Sequence, residues 1–280
     1  MSLYELGLLA QVCINVLLAL SVYVVLSTGQ LNLGSAGFMA VGAYVSAMAT
    51  TNGIPMALAL LAGVLAATVV GLLLGFPALR VTGIYLAMIT FAFGLVVESV
   101  FLVLPWTGGA RGLVGIPPVN PLSIFGLTAL ATILVFALCR SNFWLRVRSV
   151  HDDEFASAMT ALNPTTVKIA MFALGGGLAG LSGGMYAHWF TYVEPAAFSF
   201  QVSVFAVLYV ILGGRRSIWG PVIGATILTL LPEMARGLDE WRPAFIGSLL
   251  LLILIVRPSG LISGSVPLGQ WLRRVRRSGV

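Results

Sequence analysis

Apolar residues fill this chain in long runs, and the polar residues collect at a few places between them. Across residues 6–79 there is no Asp, Glu, Lys or Arg. A membrane span needs about 20 apolar residues, so this stretch alone must cross a bilayer several times. With glycine, proline and charged residues as boundaries, candidate spans fall at residues 6–26, 34–50, 56–79, 84–104, 122–138, 169–190, 202–212, 218–231 and 244–256. Several are short or interrupted by glycine, which sets the expectation at about eight to ten spans. The fold class predicted is all-α, a polytopic transmembrane helical bundle forming a single domain over residues 1–280.

The largest internal polar segment is residues 140–168, RSNFWLRVRSVHDDEFASAMTALNPTTVK. Ser149 with Asp152 makes an [ST]-x-x-[DE] start, and Asp152, Asp153 and Glu154 place negative charge where a helix N-terminus favours it. Pro164 after Asn163 reads as the stop. The segment therefore predicts a helix of about three turns. Phe155, Met159 and Leu162 stand at i, i+4 and i+7 and form a narrow apolar ridge, with Ala156 beside it. Such a ridge is too small for a domain core but fits a groove in another protein. The bland reading is a helix resting on the bilayer, against which its acidic start argues.

Composition agrees with a membrane protein: 59% hydrophobic and 9% charged, with a mean hydropathy of +1.03, against about 25% charged in an ordinary soluble domain. The placement of the basic residues, not the net charge of +6, gives an orientation, because Lys and Arg near span ends stay cytoplasmic. With nine spans, Arg80, Arg140, Arg146, Arg148, Lys168, Arg215, Arg216, Arg257, Arg273, Arg274, Arg276 and Arg277 fall on one side, and the N-terminus lies outside. The opposite loops carry Arg111, Arg236 and Arg242 but also Glu194, Glu233, Asp239 and Glu240. The basic tail reads as a topology anchor touching anionic lipid and not as a nucleic-acid patch.

Catalytic signals are weak. The run 175–180, GGGLAG, satisfies G-x-G-x-x-G but follows no strand, and Lys168 stands in no P-loop. His151 and His188 are far apart; His188, beside Trp189 at a span end, reads as part of an interfacial belt. Cys13 and Cys139 sit in apolar spans and suit reduced thiols. No catalytic group, metal site or cofactor is expected. Gly176, Gly180 and Gly184 recur every four residues, the small-xxx-small spacing that lets helices approach closely, as do Gly220 and Gly224. The polar residues Gln11, Asn15, Asn32, Ser35 and Thr90 read equally as candidates for a substrate pathway, with Gly29 and Gly34 flanking an expected helix break, or as interhelical hydrogen bonds. Glu98 is the one carboxylate inside a span; within two turns of Pro105, it reads either as a pathway residue or as one that reaches the outer interface.

Several separated segments resemble the permease subunits of branched-chain amino acid ABC importers. They are residues 29–34 with AGFMAVGAY after them, GFPALRVTGIYLAMITFAFG at 75–94, TGGARGLVGIP at 107–117, the acidic-then-Ala run Asp152, Asp153, Glu154, Ala156 with Lys168 downstream, and LGGRRSIWGPVIGA at 212–225. Asn32 stands where Ser is usual, and Ala161 where the loop helix usually has Gly. The resemblance implies an inner-membrane permease whose loop helix is the coupling helix, seated in cytoplasmic ATP-binding subunits that bind the ATP. It also implies a second, related permease, for which the glycine stripes could serve as the contact, and an extracytoplasmic substrate-binding protein. The implied cargo is a branched-chain amino acid, with urea and short amides as alternatives. An ion-coupled secondary transporter is the other reading, but only Glu98 offers it an ionisable group.

Overall fold

The computed structural model describes residues 3–234 except Leu79, Thr82, Ala161 and Arg216, together with residues 247, 248, 250, 251, 253, 255 and 260–262. Most of the expected span 244–256, the loop residues Arg236, Asp239, Glu240 and Arg242, and Arg257 with the tail arginines lie outside the described residues. The helices are α1 (Leu3–Leu26), α2 (Ser35–Thr51), α3 (Met56–Ala78), α4 (Ile84–Val103), α5 (Pro121–Arg140), α6 (Asn142–Asp152), α7 (Glu154–Met159), α8 (Pro164–Phe190), α9 (Phe200–Gly213) and α10 (Trp219–Met234). Six helical segments among the described residues are long and apolar enough to cross a membrane. The protein is a polytopic helical membrane bundle.

Helix starts follow the local sequence. Asn120 and Asn163 each precede a proline, and each side chain accepts from a backbone N–H of the helix it opens, Leu122 for α5 and Thr166 for α8. An Asn cap followed by Pro at the first helical position is a start signal. Pro164 therefore opens α8 rather than closing the loop helix, and α8 begins five residues earlier than the apolar run suggested.

The centre of the bundle is α8, which packs along α1, α2 and α3. Glycines make this possible. Gly176 lies against the Ala67 carbonyl and Gly71, Gly180 against Ala67 and the Gly63 carbonyl, and Gly184 against Leu60 and Ser46. These contacts descend one helix as they climb the other, so α3 and α8 are antiparallel. The glycines Gly176, Gly180 and Gly184 are thus occupied inside the chain, which corrects the expectation that they form the contact to a second permease. Gly220 and Gly224 likewise meet α9, at Gly213 and the Tyr209 carbonyl.

Aromatic rings fill the space beside this seam: Tyr44 stacks on Phe101 at 4.1 Å, and Phe38 meets Phe93 at 4.8 Å and Phe172 at 5.9 Å. Large apolar side chains on α3, α4 and α5 point outward, among them Leu73, Val103 and Ile133, as expected where lipid is the solvent. The loops after α4 and α8 are joined by a two-stranded antiparallel pair, β1 (Leu113–Val114) with β2 (Tyr192–Val193). This pair is an addition to the all-helical expectation.

His188 is fully buried, not interfacial: its Nδ1 lies 3.0 Å from the Pro117 carbonyl and its Nε2 3.0 Å from Ser46 Oγ. A neutral imidazole donating from Nδ1 and accepting at Nε2 satisfies both partners. It fastens the loop after α4 to α2 and α8.

Candidate docking helix and helix break

The polar segment folds as two helices where the sequence predicted one. Asp153 leaves helical geometry and caps α7, its carboxylate accepting from Ala156 N–H at 2.9 Å. Asp152 is instead the last residue of α6, and Ser149 caps nothing; its Oγ meets Ser157 Oγ at 2.8 Å. Leu162 lies beyond α7 and is half-buried, so the three-residue ridge shortens to Phe155 and Met159. These two are 85% and 87% exposed, the most exposed large apolar side chains among the described residues together with Trp106. Ala156 is also exposed, and Ser157 is the one buried residue of α7.

Two polar ties hold α7 to the bundle. One is Ser149–Ser157, reaching α6. The other is an ion pair between Glu154 and Lys168 of α8, 2.6 Å apart, with the Lys168 side chain 10% exposed and that of Glu154 47%. Glu154 thus meets a basic partner within the chain, Lys168 of α8. Helix α6 was missed as a separate element. Its signal was present: Trp144, Val147 and Val150, at i, i+3 and i+6, are buried, and Trp144 stacks on Tyr23 of α1 at 5.9 Å. Arg80 ends the α3 side and Lys168 begins α8, so with α3 and α8 antiparallel both lie at the end of the bundle that carries α6 and α7.

Between α1 and α2 the chain is non-helical over residues 27–34, and Gln30, Asn32 and Gly34 are buried. Buried irregular backbone must have its polar groups met by protein. Here three side chains meet them. Asn32 Oδ1 accepts from Gly34 N–H at 2.8 Å, Thr90 Oγ1 of α4 accepts from Leu33 N–H at 3.0 Å, and Ser203 Oγ of α9 accepts from Ala36 N–H at 2.9 Å. Gly34 is required by closeness, since a Cβ there would stand 2.6 Å from the Thr90 carbonyl. Ser35 is buried, and its hydroxyl has no partner among the described residues. Ser203 was not singled out from the sequence, where it is one hydroxyl in an apolar run.

The remaining polar candidates lie elsewhere. Asn15 donates to Thr229 of α10 at 2.9 Å and ties α1 to α10. The Gln11 side-chain oxygen is buried without a partner among the described residues. Glu98 is half-buried on α4, eight residues past Thr90 and so about 12 Å along the helix. Beside it Ser99 lines an apolar groove with Val96, Val100 and Val103. A charge well inside a span costs about 2.5–3.5 kcal/mol on insertion scales, so Glu98 is expected to face protein or water. In a Glu98→Cys variant, ready labelling by a lipid-confined reagent and none by a water-soluble one would refute this.

The model of one protein family, described as branched-chain amino acid transport system / permease component, matches residues 5–256. The chain is 31% identical to the high-affinity branched-chain amino acid transport system permease protein LivM of Salmonella typhimurium, over 91% of this chain and 69% of that protein. It is 31% identical to LivM of Escherichia coli K12, over 94% of this chain and 70% of the relative. A partial likeness, 25% over 41% of this chain and 38% of the relative, links it to LivH, another permease protein of the system in Escherichia coli K12. No solved structure matches the chain.

Proposed function

The chain belongs to the family of branched-chain amino acid transport system permease components, and on that premise we propose that it is one permease subunit of an ATP-driven importer for a branched-chain amino acid in the bacterial inner membrane. The observation that carries this reading is α7, a short helix at the basic end that offers Phe155 and Met159 to a partner. Cytoplasmic ATP-binding subunits supply the groove and the energy; the chain itself catalyses nothing. A second permease related to this one completes the pore, consistent with the likeness to both LivM and LivH, and an extracytoplasmic binding protein delivers cargo. Closure of the ATPases moves α7, and the bundle shifts between its two open states as rigid bodies. Affinity purification of the tagged chain in mild detergent tests this: ATPase subunits should co-purify, and the complex in liposomes should take up radiolabelled leucine only with ATP inside. Uptake that persists without ATP and follows a proton or sodium gradient would sink the reading.

The break between α1 and α2, with Asn32, Ser35 and Thr90, is the part of the cargo pathway proposed for this chain. The same polar groups also have structural work, which makes the choice of variant matter. Thr90→Val orphans the Leu33 N–H and is expected to cost about 1–3 kcal/mol of stability. Ser35→Ala removes a hydroxyl that has no partner among the described residues and should leave stability unchanged. A fall in leucine uptake for Ser35→Ala at normal protein level is the expected result; unchanged affinity and rate would take Ser35 out of the pathway.

A further inference from the structure

We infer that the Glu154–Lys168 ion pair is the link through which movement of α7 reaches the transmembrane bundle. The inference rests on the docking of α7 proposed above. Four observations carry it. The six residues of α7 have one buried member, Ser157, so packing alone does not bind this helix to the bundle. The Ser149–Ser157 tie leads to α6, which packs on the bundle through Trp144, Val147 and Val150 but makes no ion pair with it among the described residues. Glu154, by contrast, reaches Lys168 in the first turns of α8, where the Lys168 side chain is nine-tenths buried and that of Glu154, its counter-charge, half exposed. From Lys168 the same rigid helix runs to Gly176, Gly180 and Gly183, where it lies against α3 and α2.

A displacement of α7 therefore acts on α8 at its first turns, and α8 has no slack against α2 and α3 through which to absorb it. Opening the pair leaves the Lys168 side chain, one-tenth exposed, without its counter-charge, which is unfavourable. The pair thus behaves as a fixed joint. Beside it, the ring of His151 near the end of α6 lies 3.2 Å from where a Cβ on Gly29 would stand, and Gly29 is the left-handed residue within the break before α2. The α6–α7 corner therefore touches both the central helix and the start of the break. Glu154 and Lys168 are positioning residues, acting on transport through α8 and touching neither ATP nor cargo.

The test separates movement from docking. Glu154→Gln and Lys168→Met are made singly, with the charge-swapped double variant E154K/K168E, and each is purified with its ATPase subunits and placed in liposomes. Leucine taken up per ATP hydrolysed is the readout. Both single variants are expected to keep the ATPase subunits and their hydrolysis while this ratio falls at least tenfold, and the swapped pair is expected to recover it to within about threefold of wild type. Single variants with an unchanged ratio would overturn the link. So would a swapped pair that accumulates normally yet is no better than the singles. If a single variant fails to accumulate, Lys168→Arg and Glu154→Asp, which keep both charges but change the length of the joint, are read instead, and a wild-type ratio in both overturns the link. Failure of the docking reading itself looks different: the wild-type chain would then retain no ATPase subunits.

Discussion

Met159→Glu is expected to abolish transport while leaving the bundle intact. Met159 is 87% exposed and Phe155, one helical turn before it, 85%, so neither supports the fold. In a docked complex both would be desolvated. An unpaired carboxylate in an apolar groove costs several kcal/mol, and even about 2 kcal/mol is a roughly thirtyfold weakening of the contact. The variant should reach the membrane at wild-type level, lose most of its ATPase subunits on purification, and show neither leucine uptake nor ATP hydrolysis stimulated by the binding protein. Met159→Leu, which keeps the apolar volume, should behave as wild type. Near-normal transport by Met159→Glu with full retention of the ATPase subunits would mean that α7 rests on lipid, and the docking role would be lost.

Sequence reading located the spans well because lipid imposes a simple rule: about 20 apolar residues, or a reason for fewer. The break before α2 was legible for the same reason, since glycines at 29 and 34 bracket two polar residues, Gln30 and Asn32, in an apolar run. Charged and capping residues misled where two readings share the same letters. Asn163–Pro164 serves equally as an end and a beginning, and only the position of the Thr166 N–H decides for a beginning. Asp153 could extend a helix or cap one, and the backbone break at that residue settles it as a cap. Pairings such as Glu154 with Lys168, His188 with Ser46 and Asn15 with Thr229 join residues 14, 142 and 214 positions apart, and no local pattern announces them. The glycine stripe announced close approach but not the identity of the approaching helix.

Glycine-to-alanine variants at two positions are expected to shift stability in opposite directions. Alanine in a helix is intrinsically better than glycine by about 0.8–1.0 kcal/mol, so a glycine-rich helix is retained only where tertiary contact outweighs that preference. At Gly126 of α5 nothing lies within 4 Å of the added Cβ, and Gly126→Ala should therefore be neutral or slightly stabilising. At Gly183 of α8 the added methyl meets the Met39 carbonyl of α2. That carbonyl belongs to backbone, which cannot turn aside as a side chain can, and α2 is held on α8 a few residues away where Gly42 lies against Gly180. Overpacking of a tight interior costs about 1–3 kcal/mol, and here the relief requires moving α2 as a whole, with Asn32, Ser35 and the break attached to it. Gly183→Ala should lower the melting temperature of the detergent-purified chain and reduce its level in the membrane, with a larger loss for Gly183→Leu. Should Gly183→Ala melt at or above the wild-type temperature, α2 and α8 are not in the close contact described, and the rigid path from Lys168 to the break before α2 fails with it.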